Sequence, residues 1–297
     1  MRLVIIGNGM AATRLIASLT GRADGRFAIT VIGDEPEHAY NRIQLSPVLG
    51  GEKQAADICL QDDDWYQSRG VTVLRGEKAI AVNVDAREVQ TTARTLGWDA
   101  LVFATGSTPF IPPIPGCDAP HVFTFRTLED TRAIRTIAGP AVVLGGGVLG
   151  VETAAALARS GDNVTLVHRG PWLMEQQLDR QAGMLLEEAL AARGVRCELA
   201  SGIAAIDGNS VTLLNGRSVT AARVVLATGV QSQHIAVGKR NIRAQVNITR
   251  ATAVAQVAGV LVKTGQVSQR MGIFQRQPAI ADRGKRFGEI KIGRAHV

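Results

Sequence analysis

Two glycine-rich segments, each placed between an apolar run and a helical pattern, constrain the fold of this chain more than any other feature. The first is GNGMAA at residues 7–12, which follows the apolar run 2–6. The second is GGGVLG at residues 145–150, which follows the apolar run 141–144. A glycine turn that joins a buried strand to a helix lets the backbone approach a pyrophosphate closely. The repeat therefore predicts two dinucleotide-binding corners in one chain.

The first segment has the residue types that such a corner needs. Gly7 permits the tight turn, and Gly9 allows the close approach of a phosphate. Ala12 stands at the third glycine position and is still small enough for the helix to pack on the strand. Asp34 and Glu35 follow at the end of the next strand, about where a ribose-binding acid belongs. A plain structural turn is the alternative, and the strand, helix and acid in sequence favour binding.

The second segment has all three glycines of the pattern, at Gly145, Gly147 and Gly150. The position after the following strand differs, because His168-Arg169 stands there instead of an acid. An acid would bind a ribose 2′-hydroxyl, whereas an arginine can meet a 2′-phosphate. The pattern leans toward NADPH, and an ordinary surface arginine is the alternative.

Strands and helices alternate through residues 1–229, which is typical of an α/β protein with parallel sheets. The prolines of segment 109–120 indicate an extended linker between two cycles. The predicted strands are 2–6, 28–32, 71–74, 101–104, 141–144, 163–167, 195–199, 211–214 and 224–227, with a hairpin at 79–84 and 88–92 and helices at 11–19, 148–160 and 178–193.

The net charge of +7 is confined to the end of the chain. Residues 1–229 carry 21 Lys+Arg and 24 Asp+Glu, whereas residues 230–297 carry 12 and 2. Charge alone would allow a nucleic-acid arm, but Phe274 and Phe287 are the only aromatic residues of that segment. Nucleic acid is therefore not expected as a partner.

Other features exclude several classes of protein. No run of about 18 apolar residues is present, so a membrane span is not expected. The three cysteines, at positions 59, 117 and 197, are too far apart in sequence for a disulfide framework or a CxxC pair. Cys59 is expected to be a small buried apolar residue. The five histidines are scattered, so no metal site is expected. A cytoplasmic protein is the resulting expectation.

Several strings together resemble the FAD- and NAD(P)-dependent pyridine nucleotide oxidoreductases of the rubredoxin and ferredoxin reductase type. Within them, the chain is similar to the flavin module of NAD(P)H nitrite reductase and to the electron-transfer subunit of assimilatory nitrate reductase. The resemblance covers residues 1–231. The strings that carry it are LVIIGNGM (3–10), YNRIQLS (40–46), ATGS (104–107), FRTLED (125–130), GGGVLGVE (145–152) and LMEQQLD (173–179).

The resemblance implies an α/β fold of two Rossmann-like dinucleotide-binding domains, with the NAD(P) domain nested in the FAD domain. It places the FAD domain at 1–112 and the NAD(P) domain at 113–231. Glu152 is similar to the family's acid near the contact of nicotinamide and flavin, and an ordinary first-turn carboxylate is its alternative. The cofactor-binding residues expected are Gly7, Gly9, Met10, Ala11, Ala12, Asp34, Glu35, Arg42, Ala79, Thr105, Gly106 and Arg126 for FAD, and Gly145, Gly147, Leu149, Gly150, His168 and Arg169 for NAD(P)H.

The function implied is an FAD-dependent NAD(P)H oxidoreductase that passes electrons to a nitrite or nitrate reductase centre. The alternative acceptor is a small carrier of the rubredoxin or ferredoxin type. Residues 36–51 contain no cysteine, so electrons are not expected to leave through a dithiol. Pro47 follows Leu45-Ser46, where ferredoxin-reductase relatives often have a lysine, so that flavin contact is missing.

The family pattern stops after residue 231. No AxGD element follows, and residues 242–248 are the only strand-like stretch. Residues 292–297 match the translation of a common sequencing-library adapter. We therefore expect residues 232–297 to be a basic tail that is not native to the fold, which would leave the flavin site incomplete. On that expectation the chain binds FAD weakly, and a dinucleotide-binding fragment without turnover is the alternative function.

Overall fold

Short apolar strands form two parallel sheets, and each sheet contains one of the glycine-rich segments at a strand end. The computed structural model describes residues 1–21, 25–233 and 235–237. The strands are β1 (Arg2–Ile6), β2 (Ala28–Gly33), β3 (Val71–Arg75), β4 (Ala79–Asn83), β5 (Glu88–Thr91), β6 (Thr95–Gly97), β7 (Ala100–Phe103), β8 (Ser107–Pro109), β9 (Val122–Thr124), β10 (Ala141–Leu144), β11 (Val164–Val167), β12 (Val195–Glu198), β13 (Ile203–Asp207), β14 (Ser210–Leu213), β15 (Ser218–Thr220), β16 (Arg223–Leu226), β17 (Val230–Ser232) and β18 (Ala236–Val237).

Six α-helices and two 3-10 helices accompany the strands in the described residues. The two 3-10 helices span Arg42–Gln44 and Ala55–Ile58. The α-helices are α1 (Met10–Thr20), α2 (Leu45–Leu49), α3 (Asp63–Gln67), α4 (Leu128–Arg135), α5 (Val148–Arg159) and α6 (Arg180–Ala191).

The first parallel sheet has the strand order β3-β2-β1-β7. All four residues of β7 are buried, and so are the last four of β1. Strands covered on both faces need apolar residues at every position, which is why they appear as unbroken apolar runs in the sequence. Helix α1 covers one face through Ala12 and Ile16, both fully buried.

The second parallel sheet has the strand order β12-β11-β10-β16-β9. Its first four strands have the same relative chain order as those of the first sheet. Helix α5 covers one face, where Ala154 and Leu157 lie in the core. Because the topology is repeated, the two glycine segments occupy equivalent positions, between the central strand and its crossover helix.

Smaller antiparallel sheets flank the parallel ones. Strands β4, β5 and β6 form a meander, and β18 pairs with β4 in parallel. Strands β13, β14 and β15 form a second meander. Strand β8 pairs antiparallel with β17, although about 120 positions separate them. The chain therefore leaves and re-enters the region of the first sheet through one two-stranded ribbon.

The predicted α/β class with parallel sheets and two Rossmann-like units is confirmed. The predicted helix at 178–193 is shorter, since Asp179 caps α6 at its N-terminus and the helix ends at Ala191. Segment 109–120 is mostly irregular, as an extended linker would be, and begins at the end of β8. The sequence-based prediction missed α2, α4, β6, β8, β9, β13, β15, β17 and β18.

Two further expectations concern a membrane span and the basic tail. None of the helices within residues 1–21, 25–233 and 235–237 has the length and apolar character required to cross a bilayer. The predicted basic tail lies outside the described residues from position 238 onward, together with its strand-like stretch at 242–248.

Candidate functional site

The first glycine segment is a tight corner at the end of β1. Gly7 has a φ of +110°, and a Cβ placed on it would lie 2.1 Å from the carbonyl oxygen of Ala104. Its amide donates to the carbonyl oxygen of Ile32 at 2.8 Å. Gly7 is therefore enclosed by the ends of both neighbouring strands, and only glycine fits there.

The start of α1 presents unoccupied backbone amides beside that corner. Gly9 is the N-cap residue, and a Cβ on it would meet nothing within 4 Å among the described residues. The first turn of α1 contains no acidic side chain. Met10 and Ala11 are exposed, whereas Ala12 is fully buried against the sheet. An open helix N-terminus of this kind binds anions, because its first amides lack intrahelical acceptors.

The second glycine segment repeats this geometry at the end of β10. Gly145 has a φ of +118°, and a Cβ on it would lie 2.4 Å from the carbonyl oxygen of Ala227. Gly147 caps α5 and has open space around it, as Gly9 does. A Cβ on Gly150 would lie 1.7 Å from the carbonyl oxygen of Gly145, so the helix rests directly on the turn. Leu149, in the first turn of α5, packs on the neighbouring core.

A hydrogen-bonded cluster of charged and phenolic groups lies after β2. The Glu35 carboxylate forms an ion pair with Arg42, and it accepts the Tyr40 hydroxyl at 2.5 Å. Arg42 also donates to the carbonyl oxygen of Arg126 at 2.9 Å. Burial, more than the neighbouring Glu35, raises the pKa of Tyr40, and Arg42 opposes the rise. The cluster connects the loop after β2 with the start of α4.

The two acids predicted to hold a ribose have different environments. Both oxygens of Glu35 are engaged by Arg42 and Tyr40. The Asp34 side chain is 56% exposed, and Lys78 lies 3.7 Å from it. Asp34 is therefore the acid that remains open to a ligand, while Glu35 organises the loop.

Thr105, Gly106 and Arg126 are brought together at the β8–β17 ribbon. The Arg126 Nε donates to the carbonyl oxygen of Ser107 at 2.6 Å, and the Thr105 hydroxyl donates to that of Gln233 at 3.4 Å. Burial lowers the pKa of Arg126, and the nearby Arg42 guanidinium adds to this effect. Gly106 has a φ of +71°, a conformation that glycine adopts without strain.

Ala79 begins β4 and packs on the core cluster that contains Ile6, the last residue of β1, and Ile32 of β2. It lies close to the first corner through this packing and has no side-chain polar group, so any ligand contact would use its backbone.

Glu152 lies in the second turn of α5, and its carboxylate accepts a hydrogen bond from the Ser46 hydroxyl of α2 at 3.0 Å. Ser46 is buried, and it belongs to the segment that follows the Glu35 cluster. Its role was not predicted from the sequence, because 106 positions separate the two residues. Helix α2 thus connects the first glycine unit to the helix of the second.

His168 directly follows β11, and its ring is buried against the second corner. The Gly146 amide donates to Nδ1 at 3.1 Å, and Nε2 contacts the Glu175 carboxylate at 2.6 Å. Arg169 is exposed and packs beside Gly202. The sequence-based prediction missed Glu175, although it lies in the LMEQQLD string. Coenzyme contacts at His168 and Arg169 stay a prediction.

The cysteines provide no dithiol in the described part of the chain, where all three are free. Cys59 is exposed, so the expectation of a buried residue is wrong. It caps the 3-10 helix Ala55–Ile58, and its thiol faces the carbonyl oxygen of Gln61 at 3.3 Å. Within the part of the chain that the structure describes, no three or more potential metal ligands lie together.

Comparison with known proteins relates this chain to oxidoreductases. A family model described as pyridine nucleotide-disulphide oxidoreductase matches residues 1–260. The chain is 40% identical over 238 residues to the assimilatory nitrate reductase electron transfer subunit of Bacillus subtilis, covering 77% of this chain and 31% of that protein. It is equally similar over 238 residues to the nitrite reductase [NAD(P)H] of the same organism, covering 77% and 30%.

A solved structure is also similar in fold to this chain. The covalent complex of putidaredoxin reductase and putidaredoxin matches with a TM-score of 0.70 and 27% identity, over 77% of this chain and 58% of that one. The chain spans about a third of the length of the two curated relatives.

Proposed function

The chain belongs to the pyridine nucleotide-disulphide oxidoreductase family, and from this premise we propose that it is the coenzyme-oxidising part of an FAD-dependent NAD(P)H oxidoreductase. Its electrons would pass to a nitrite or nitrate reductase centre. The observation that carries the proposal is the pair of equivalent glycine corners, Gly7–Gly9 and Gly145–Gly147, each beside an open helix N-terminus. The 40% identity to two nitrogen-oxide reductase proteins supports the choice of acceptor.

The residues at the first corner fit FAD. The space around Gly9 admits a pyrophosphate, and the amides at the start of α1 would bind it. Asp34 is open to the adenosine ribose. Glu35 and Tyr40 hold Arg42, which donates to the Arg126 carbonyl oxygen, and both arginines are only partly exposed. FAD, when bound, accepts a hydride from NAD(P)H and releases its electrons singly.

The residues at the second corner fit the adenine nucleotide half of NAD(P)H, since Gly147 leaves open the approach to the amides of α5. Glu152 would border the nicotinamide, with Ser46 fixing its carboxylate. Hydride transfer needs no general acid or base, so the contribution of these side chains is orientation and exclusion of water.

We propose that an FAD domain at 1–112 contains a nested NAD(P) domain at 113–231. The β8–β17 ribbon supports this division, because the chain passes out and back at one place. We also propose a cytoplasmic location. Free thiols at the three cysteines are the state that a reducing compartment maintains, and NAD(P)H is available there.

The test is anaerobic reduction of the chain after incubation with FAD. Reduction of bound flavin by NADH or NADPH, followed by electron transfer to ferricyanide, is the expected result. Binding of both dinucleotides without flavin reduction would identify a nucleotide-binding protein without turnover. Faster delivery to a rubredoxin or ferredoxin than to a nitrite or nitrate reductase centre would favour the small-carrier alternative, for which the putidaredoxin reductase likeness is the supporting observation.

A further inference from the structure

An acidic side chain lies at the second corner even though the position after β11 is not acidic. The imidazole of His168 stands between the Gly146 amide, 3.1 Å from Nδ1, and the Glu175 carboxylate, 2.6 Å from Nε2. The Glu175 side chain is 33% exposed and that of His168 only 11%. The Gly146 amide, the His168 ring and the Glu175 carboxylate thus form a chain of hydrogen bonds, and the carboxylate is its more exposed end.

The hydrogen bonds fix which nitrogen of His168 carries the proton. A backbone N–H can only donate, so Nδ1 is the acceptor and the ring proton is on Nε2. Nε2–H then donates to Glu175, which accepts through Oε2. The other carboxylate oxygen, Oε1, has no hydrogen-bond partner within the described part of the chain. Oε1 of Glu175 is therefore available to accept a hydrogen bond from a ligand.

The segment carrying Glu175 is itself bound to the glycine turn. The Met174 amide donates to the carbonyl oxygen of Gly146 at 2.8 Å, and Met174 has a φ of +55°. A Cβ on Gly170 would lie 2.5 Å from His168 Nε2 and 2.9 Å from the Glu175 carboxyl carbon, so the pair is closely packed. Backbone and side chain both hold the carboxylate in place.

Arg169 is exposed, and its side chain packs beside Gly202. Its Nε is 3.3 Å, and its Cγ 3.6 Å, from the position that a Cβ on Gly202 would take, so the stem of the side chain packs on the second meander. In dinucleotide-binding folds, an acid beside the glycine turn binds the adenosine ribose hydroxyls and disfavours a 2′-phosphate. The position of Glu175 therefore outweighs the lean toward NADPH that Arg169 gave from the sequence.

We propose that Glu175, positioned by His168, is the specificity-determining residue of the second corner and makes it select NADH over NADPH. The inference rests on the proposed function, because it assumes that this corner binds a nicotinamide coenzyme. Oε1 of Glu175 accepts the ribose 2′-hydroxyl. The same carboxylate repels a phosphate at that position.

The expected selectivity follows from the charge. A partly exposed carboxylate close to a phosphate of the same sign disfavours it by about tenfold or more in affinity. Removing the negative charge while keeping the shape should remove most of this discrimination. Glu175→Gln does so. Its amide oxygen keeps the hydrogen bond from His168 Nε2–H, and its NH2 group places a donor where Oε1 was, which suits a phosphate.

The test measures binding of ADP-ribose and of its 2′-phosphate by calorimetry, which requires neither flavin nor turnover. The wild-type chain should prefer ADP-ribose by about tenfold or more. Glu175→Gln should reduce the preference to about threefold or less, chiefly by strengthening binding of the 2′-phosphate. Glu188→Gln, which removes one negative charge from the exposed face of α6, is the matched control and should leave the preference unchanged.

The outcomes separate this inference from the proposed function. A wild-type preference for the 2′-phosphate, or an unchanged ratio in Glu175→Gln, would overturn the inference and leave the corner a coenzyme site. Binding of neither probe by the wild-type chain would overturn both. His168→Ala, which frees Glu175 without removing its charge, should weaken ADP-ribose binding, and unaltered affinity there would exclude the positioning role of His168.

Discussion

The Ser46 hydroxyl donates to the Glu152 carboxylate at 3.0 Å, joining α2 to α5 across 106 positions of the chain. The bond connects the segment after the first glycine unit with the crossover helix of the second. Glu52 and Arg159 add an ion pair between the same two regions. Side-chain contacts therefore link the regions of the two predicted cofactor sites. The residues involved belong to separate sequence motifs.

Ser46→Ala should slow the reduction of bound flavin by NADH about tenfold or more, while the affinity for NADH stays the same. The variant removes the donor that fixes the Glu152 carboxylate, and a hydrogen bond to a charged group contributes roughly 1.5–3 kcal/mol. Stopped-flow absorbance and equilibrium binding separate the two effects. Ser46→Thr keeps the hydroxyl and should restore the rate.

Ser68→Ala serves as the control, because Ser68 is exposed and its hydroxyl donates to the carbonyl oxygen of Trp65 in α3. Equal rates in wild type and Ser46→Ala would show that Ser46 has no positioning role.

Gly7→Ala and Gly9→Ala should affect different properties, stability and FAD binding, although only Asn8 lies between them. Alanine at position 7 meets the Ala104 carbonyl at a φ of +110°, so the free energy of unfolding should fall by about 2 kcal/mol or more. Alanine at position 9 has open space, so stability should change by less than about 0.5 kcal/mol. Its methyl group would instead lie where the pyrophosphate approaches and should weaken FAD binding.

Urea unfolding and FAD titration of both variants measure these effects. A Gly9→Ala variant with unchanged FAD affinity would contradict the assignment of this corner to the pyrophosphate.

Asp162→Asn should destabilise the fold strongly. Arg223 is only 3% exposed and pairs with Asp162 on the loop before β11. A buried cation that loses its partner costs roughly 3–5 kcal/mol. Lys78→Met breaks a pair whose side chains are both more than half exposed, and it should cost less than about 1 kcal/mol. Similar urea midpoints for the two variants would argue against the buried pair.

Cys59 and Cys197 should differ in reactivity toward iodoacetamide. Burial, with smaller contributions from Glu187 and Glu198, raises the pKa of Cys197 to about 11, whereas the usual value is 9.0. At pH 8 its thiolate fraction is then about a hundredfold smaller than that of an ordinary thiol. Labelling of Cys197 should accelerate as the pH rises toward 11. The exposed Cys59 should react readily at pH 8, and mass spectrometry that found equal labelling there would contradict the burial of Cys197.

The glycine corners could be predicted because their requirement is local. A turn against a neighbouring carbonyl needs glycine, and an apolar run and a helical pattern flank it in the sequence. Helix α4 was missed, although Thr127 and Asp130 form a capping box at its start. Strand β9 has only three residues and takes its place by pairing with β16, which no local pattern indicates.

The partners of the site residues could not be predicted, because they depend on tertiary contacts. The sequence indicates an acid near residue 168 only by analogy with the first unit. In the structure, the acid beside His168 is Glu175, seven positions later in the chain. The preceding residue, Met174, donates its amide to the carbonyl oxygen of Gly146 and so holds this segment at the corner. Glu35 is predicted to bind a ribose, and the contacts of its carboxylate with Arg42 and Tyr40 could not be read from the sequence.

Anaerobic titration of the FAD-incubated chain with NADH tests the central claim most directly. The account predicts that the visible absorbance of the bound flavin is lost with one NADH per flavin, because two glycine corners bring the two cofactors together. Flavin absorbance that persists while NADH is bound would contradict it.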